Sequence, residues 1–170
     1  MISICSFINA TNPKDSIAIK LGLSASDPLC EARAKLLSLL DIPKNSELKL
    51  LPSPEYISPQ LLAFVRVFNM NAEQLQHWMS ESDRAADLMH IDCALDTSLE
   101  TKTWQYLQTR LMLLLRIFPS SLEQDEVELK KLHDKQIELD YVSSMILEYR
   151  VLEKRILSAA LEYAKQRTKA

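Results

Sequence analysis

A mainly α-helical domain with a small β-ribbon near its N-terminus is what this sequence predicts, on three observations. Glycine occurs once, at Gly22, and from Asp134 onward neither Gly nor Pro interrupts the chain, so long stretches are free to run as helix. Cap residues followed by proline or by a reciprocal glutamine mark repeated helix starts: Asp27-Pro28, Ser58-Pro59, Asn71 with Gln74, and Ser121 with Gln124. Two short stretches, Ser16–Leu23 (SIAIKLGL) and Glu47–Leu51 (ELKLL), alternate apolar and polar residues as half-buried strands do.

Taken in order, the first strand puts Ile17, Ile19, Leu21 and Leu23 on one face. Asp27-Pro28 then opens a helix over residues 29–40, with Leu29, Ala32, Leu36, Leu39 and Leu40 as its expected buried stripe, and Ile42-Pro43 stops it. Glu47–Leu51 is the second strand and the natural partner of the first. Two strands alone are marginal, so the ribbon should extend a sheet or lie against a helix. After an extended connection at Pro52 and Pro54, Ser58 caps a helix that is nearly all core, crowded with Leu61, Leu62, Phe64, Val65 and Phe68. Arg66 interrupts that apolar helix, and the expectation is that it pairs with an acid of the C-terminal helix or serves an external surface.

Asn71 starts the next helix, AEQLQHWM, and the polar stretch after it holds one short helix at most. Thr97 or Ser98 is expected to cap a long helix whose apolar positions, Trp104, Leu107, Leu111, Leu114, Leu115 and Phe118, recur at three and four until Pro119 ends it. Ser121 caps LEQDEVELKKL, acidic in its first turn and basic in its last, as the macrodipole favours. From Asp134 the stripe Ile137, Tyr141, Met145, Tyr149, Leu152, Ile156, Ala159 and Tyr163 predicts a final helix of about 30 residues, roughly 45 Å long.

Composition excludes several functions. The chain has 170 residues, 47% hydrophobic and 25% charged, ordinary for one globular domain with a sizeable core. The apolar run Leu111–Leu115 falls far short of the ~20 residues a membrane span needs, and MISICSFINA has neither a basic start nor a long apolar stretch, so neither membrane nor export signal is expected. A net charge of −3 with interspersed signs argues against nucleic acid. Cys5, Cys30 and Cys93 lack ligand spacing and read as reduced thiols of an intracellular protein, with no metal.

Catalytic chemistry finds no footing either. His77, His90 and His133 are far apart and fit no ligand or triad pattern; they read as exposed histidines. Asp125/Glu126 and Glu123/Glu128 lie among lysines and read as a solvated helical face. One glycine cannot build a phosphate-cradling loop. Candidate contacts for a protein partner are Trp78 and Arg66, with Trp104 read as core.

At this point the ordered segments carry a resemblance. SFINATNPKDSIAIKLGLSASDPL, ISPQLLAFVRVFNM, LLLRIFPSSLEQDEVELKKL and VLEKRILSAALEY, spanning Ser6 to Tyr163, resemble the C-terminal part of SET-domain methyltransferases of the Rubisco large-subunit methyltransferase type, and within them the actin-histidine N-methyltransferase group. The resemblance implies a SET-exit remnant over residues 1–15 and a helical substrate-binding domain over 16–168. It implies S-adenosyl-L-methionine as cofactor of the parent protein and none for this chain alone. The implied partners are a protein substrate, with actin suspected, and the parent's SET domain, in the cytoplasm and also the nucleus. In that family a Gly-Phe pair at the SET exit borders the cofactor pocket; Phe7 matches it, while Ser6 stands in the glycine position. The Asn-His segment, Gly-rich loop and catalytic tyrosine of SET catalysis have no counterpart in this sequence, so the chain alone is expected not to methylate. Substrate recognition is the favoured reading, a free-standing helical interaction module the alternative, and a histidine or a lysine target fits equally.

Overall fold

Period-two alternation produces the ribbon as expected. In the computed structural model, which describes residues 15–93 and 95–169, strand β1 (Ile17–Gly22) pairs antiparallel with strand β2 (Asn45–Leu50), Ile19 opposite Leu48 and Gly22 opposite Asn45. Ile19, Leu21, Leu48 and Leu50 turn inward, while Lys20 and Glu47 meet in solvent at 3.3 Å. Gly22 has a steric reason: a Cβ there would collide with Asn45 Oδ1. The inner face of the ribbon rests on the second helix, the helical support that two isolated strands need.

Helix α1 (Cys30–Ser38) follows Asp27, whose Oδ1 accepts from the Leu29 amide at 3.0 Å while Oδ2 pairs with Arg33. Leu36, Leu37 and Leu40 are buried, but Leu39 is 47% exposed, contrary to the expected stripe. Two residues beyond Leu37, it points to the other side of the helix. Ser58 caps α2 (Pro59–Asn69), accepting from the Leu61 amide at 3.2 Å, and every residue from Leu61 to Val67 is buried. Asn71 and Gln74 form the reciprocal box that opens α3 (Ala72–Ser80). A 3-10 helix follows at Ser82–Met89.

Helix α4 (Thr97–Arg116) is capped one residue earlier than expected. Asp96 Oδ2 accepts from the Leu99 amide at 3.2 Å, a carboxylate where Thr97 or Ser98 would offer only a hydroxyl, and its charge suits the helix start. Ser121 and Gln124 box the start of α5 (Leu122–His133). The last helix, α6 (Tyr141–Lys169), begins later than the sequence pattern suggested: Lys135 takes φ 56° and Asp140 accepts from the Ser143 amide at 3.0 Å. α6 runs back along α4, Gln108 reaching the Ala164 carbonyl at 3.3 Å, and its first half extends past the end of α4 along α5.

The expected α6 stripe is out of phase with the burial. The inward face is Leu147, Val151, Lys154, Leu157, Ala160, Leu161 and Ala164, joined by Ile156, whereas Tyr141 is 76% and Tyr149 50% exposed.

Candidate interaction surfaces

An acidic residue expected at the surface turns out to fasten α5 to α6. Asp125 is the buried residue of α5, 1% exposed. Its Oδ2 accepts from Lys154 Nζ at 2.5 Å and Arg150 Nε at 2.7 Å; its Oδ1 accepts from Arg150 Nη2 at 2.9 Å and Ser120 Oγ at 2.7 Å. Lys154, also 1% exposed, donates further to the Ser120 carbonyl at 2.7 Å and lies 4.9 Å from the centre of the Phe118 ring. Burial alone would raise the Asp125 pKa, but the bonds from Arg150, Lys154 and Ser120 and the Arg150 charge hold it down at about 2. The solvated reading of Asp125 is thereby corrected. It survives for Glu126, which pairs with Arg155 at 2.8 Å in solvent.

Arg66 is fully buried, and its acid lies on α4 rather than on the C-terminal helix. Nε donates to Glu100 Oε1 at 2.8 Å, and Nη1 to the carbonyls of Leu88 and His90 at 2.8 and 2.7 Å, so one guanidinium pins the 3-10 segment to α2 and α4. Glu100 Oε2 accepts from Trp104 Nε1 at 3.1 Å, and Trp104 meets Tyr163 of α6 edge-on, with Tyr56 stacked beyond at 4.9 Å. The other sequence candidate, Trp78, is 7% exposed. Both candidates therefore sit inside the fold, Arg66 wholly and Trp78 with little more than an edge exposed.

His77, His90 and His133 are exposed, as expected. Cys30 is buried, and burial pushes the half-buried Cys93 thiol up, away from the thiolate a nucleophile needs. No group of His, Cys, Asp and Glu among the described residues could hold a metal ion. Two surface hollows flank the ribbon, one lined by Lys20, Leu21, Gly22, Asn45, Ser46 and Glu47, the other by residues that include Ile42, Leu48 and Gln60. Neither joins a nucleophile to a base. Ser6 and Phe7 lie outside the described residues.

What the surface does carry is apolar side chains without cover. On α6, Val142 is 61%, Ile146 56% and Tyr149 50% exposed, and at spacings of four and three they share one side of the helix. That side lies opposite Leu147, Val151 and Lys154, which face inward. Of the three, only Tyr149 belongs to the stripe that sequence periodicity marked, and periodicity could not say that it faces outward.

Comparison with known proteins places these features. The Rubisco LSMT substrate-binding family matches residues 24–157. An actin-histidine N-methyltransferase of Drosophila melanogaster is 51% identical over 165 residues, covering 96% of this chain and 30% of that protein. The human protein of the same name is 36% identical over 166 residues, covering 94% of this chain and 28% of its own length. The chain thus spans less than a third of the curated relatives it matches. Among solved structures, the crystal structure of the SET domain of LSMT bound to lysine and AdoHcy superposes with TM-score 0.76 at 16% identity, over 95% of this chain and 35% of that one. A structure of Rubisco LSMT bound to AdoMet superposes equally well, again at 16% identity, so the likeness to both is one of fold. With the family pattern running from before α1 to within α6, the chain belongs to the Rubisco LSMT substrate-binding family.

Proposed function

We propose that this chain is the protein-recognition domain of an S-adenosylmethionine-dependent protein N-methyltransferase of the actin-histidine type. In this reading actin is the substrate, and a SET catalytic domain precedes residue 16 in the working enzyme. The observation that carries it is the 51% identity over 165 residues to the Drosophila actin-histidine N-methyltransferase. A helical body with buried ion pairs inside and apolar side chains left on its outside suits a module that binds protein. The reading places S-adenosylmethionine and the catalytic step in that preceding domain. Residues 1–15 are read as the exit from the catalytic domain, and the enzyme as cytoplasmic and nuclear.

The test joins the region that precedes the matched segment in the Drosophila protein to residue 1 of this chain and supplies radiolabelled S-adenosylmethionine and actin. The reading expects methyl transfer to an actin histidine, located by mass spectrometry, only when both parts are present. Transfer no greater than that of the preceding region alone would overturn the recognition role; a methylated lysine in place of histidine would overturn the histidine assignment.

A further inference from the structure

We propose that the outer edge of β1, together with Arg110 of α4, receives an extended, acid-bearing segment of the protein substrate as a third strand. The inference rests on the reading above that the chain recognises a protein substrate. It adds where part of that substrate sits, in what conformation and with what charge.

The two edges of the ribbon differ. On β2 the outward groups are taken: the Lys49 carbonyl accepts from the Ser58 amide at 3.1 Å, and the Leu51 amide donates to the Tyr56 carbonyl at 2.9 Å. Ala18 stands opposite Lys49, whose carbonyl points away from β1, so the N–H and C=O of Ala18 point away from β2, and Lys20 and Gly22 repeat that direction at the period of two. All three residues are exposed. Among the described residues, the one bond to this edge comes from Arg110, whose Nη2 donates to the Lys20 carbonyl at 3.4 Å. A row of free backbone donors and acceptors fits an extended chain; a helix, with its own backbone groups already paired, has no use for it. Lys20 is the kind of charge that guards such edges, but its ammonium turns across the ribbon to Glu47 at 3.3 Å, and Ala18 and Gly22 on either side add little bulk.

Arg110 sets the charge of the guest. Its Nε is buried without a hydrogen-bond partner, and its contact with Lys20 is long, so the guanidinium stands beside the edge with most of its donors unused. A carboxylate is the group that matches such a fork. Leu113 and Ile117, 49% and 77% exposed, follow Arg110 at three and seven residues on the same side of α4, so apolar side chains flanking the guest's acid meet apolar surface. A second copy of this chain is the poorer guest. Antiparallel pairing of β1 with itself about Lys20 would set Lys20 opposite Lys20 with both Arg110 side chains alongside, like charges directly opposed.

The test follows the fluorescence anisotropy of a short labelled peptide of alternating valine and threonine with one central glutamate as this chain is added. Saturable binding is expected, weakened ~10-fold or more when the glutamate is replaced by lysine. Ala18→Pro removes an N–H that takes no part in the β1–β2 pairing and blocks an added strand, so it should weaken binding ~10-fold or more while leaving the thermal midpoint within ~2 °C. Arg110→Glu should invert the preference, the lysine peptide now binding tighter, which a merely structural arginine would not do. No saturable binding, binding indifferent to Ala18→Pro, or a preference that Arg110→Glu leaves unchanged would each overturn the proposal. A dimer in sedimentation that Ala18→Pro dissolves would overturn it in favour of self-pairing. In the joined protein described above, the glutamate peptide should raise KM for actin without changing kcat; binding with KM unmoved would overturn the assignment of this strand to the substrate. The binding arm is read independently of methyl transfer. An active joined protein whose recognition domain binds no peptide defeats only this proposal; an inactive one with the peptide bound as expected defeats only the functional reading.

Discussion

Asp125 is the residue whose environment departs furthest from what its neighbours in sequence suggest. Its carboxyl ordinarily titrates near 3.8 and is held at about 2 in the fold. A depressed carboxylate stabilises the fold above its unfolded pKa, and that contribution disappears as the pH falls through the folded value. Here that amounts to about 2 kcal/mol, present above pH ~4 and lost towards pH ~2. Urea unfolding followed between pH 5 and 2 should show this loss, and Asp125→Asn should abolish that portion of the pH dependence. Removing the carboxylate outright strands Lys154, so Asp125→Ala is expected to destabilise by ~3–5 kcal/mol, while the apolar pair Asp125→Leu with Lys154→Met should recover most of the difference. Arg66 poses the same problem with more partners. Arg66→Met leaves Glu100 and the Leu88 and His90 carbonyls short of a donor. Its predicted cost is ~3–5 kcal/mol in denaturant unfolding, with near-wild-type helix content in native buffer. The role of Asp125 was not legible beforehand, and for Arg66 the pairing with an acid was legible but not the helix that supplies it. Burial of a charge is decided by tertiary packing, and a run such as EQDEVELKK looks the same whether one acid turns inward or none does.

Helix starts were the most legible feature because caps are local. The Asn71–Gln74 and Ser121–Gln124 boxes form as read, and Ser58 caps α2 as read. The exceptions are Asp96, where a hydroxyl at Thr97 or Ser98 was expected, and Asp27, since α1 begins after Leu29 with no side-chain cap. Ser121→Ala should cost ~1 kcal/mol. Apart from Asp125, no residue of α5 is fully buried, so the loss should fall mainly on that helix. Amide exchange should find α5 opening ahead of α2 and α4, and slower exchange in α5 than in α2 would contradict this picture. Phase along α6 was less legible. Ile137, Tyr141, Met145 and Tyr149 form a regular apolar series, yet the chain turns at Lys135 before the helix begins, and Leu147 and Val151 are the residues that face α5. Two apolar faces coexist on the first half of this helix, one packed and one open, and periodicity alone cannot rank them.

At the scale of the molecule, the ribbon, α2 with its buried run Leu61–Val67, and the antiparallel α4 and α6 share one hydrophobic core. The fold class and the ribbon pairing were readable because glycine scarcity, caps and alternation all point the same way. The burial of Trp78 and Arg66 was not, since they were chosen by residue type and residue type does not report exposure. Recognition, as opposed to catalysis, is the role proposed for this domain, and kinetics of the joined protein separate the two. Initial rates should be measured on intact actin and on a short acceptor peptide, with and without this domain. Omitting the domain should raise KM for actin by about tenfold or more, equivalent to ~1.4 kcal/mol, and leave kcat and the peptide rates within about twofold. Equal losses on actin and peptide, or no change on either, would contradict it.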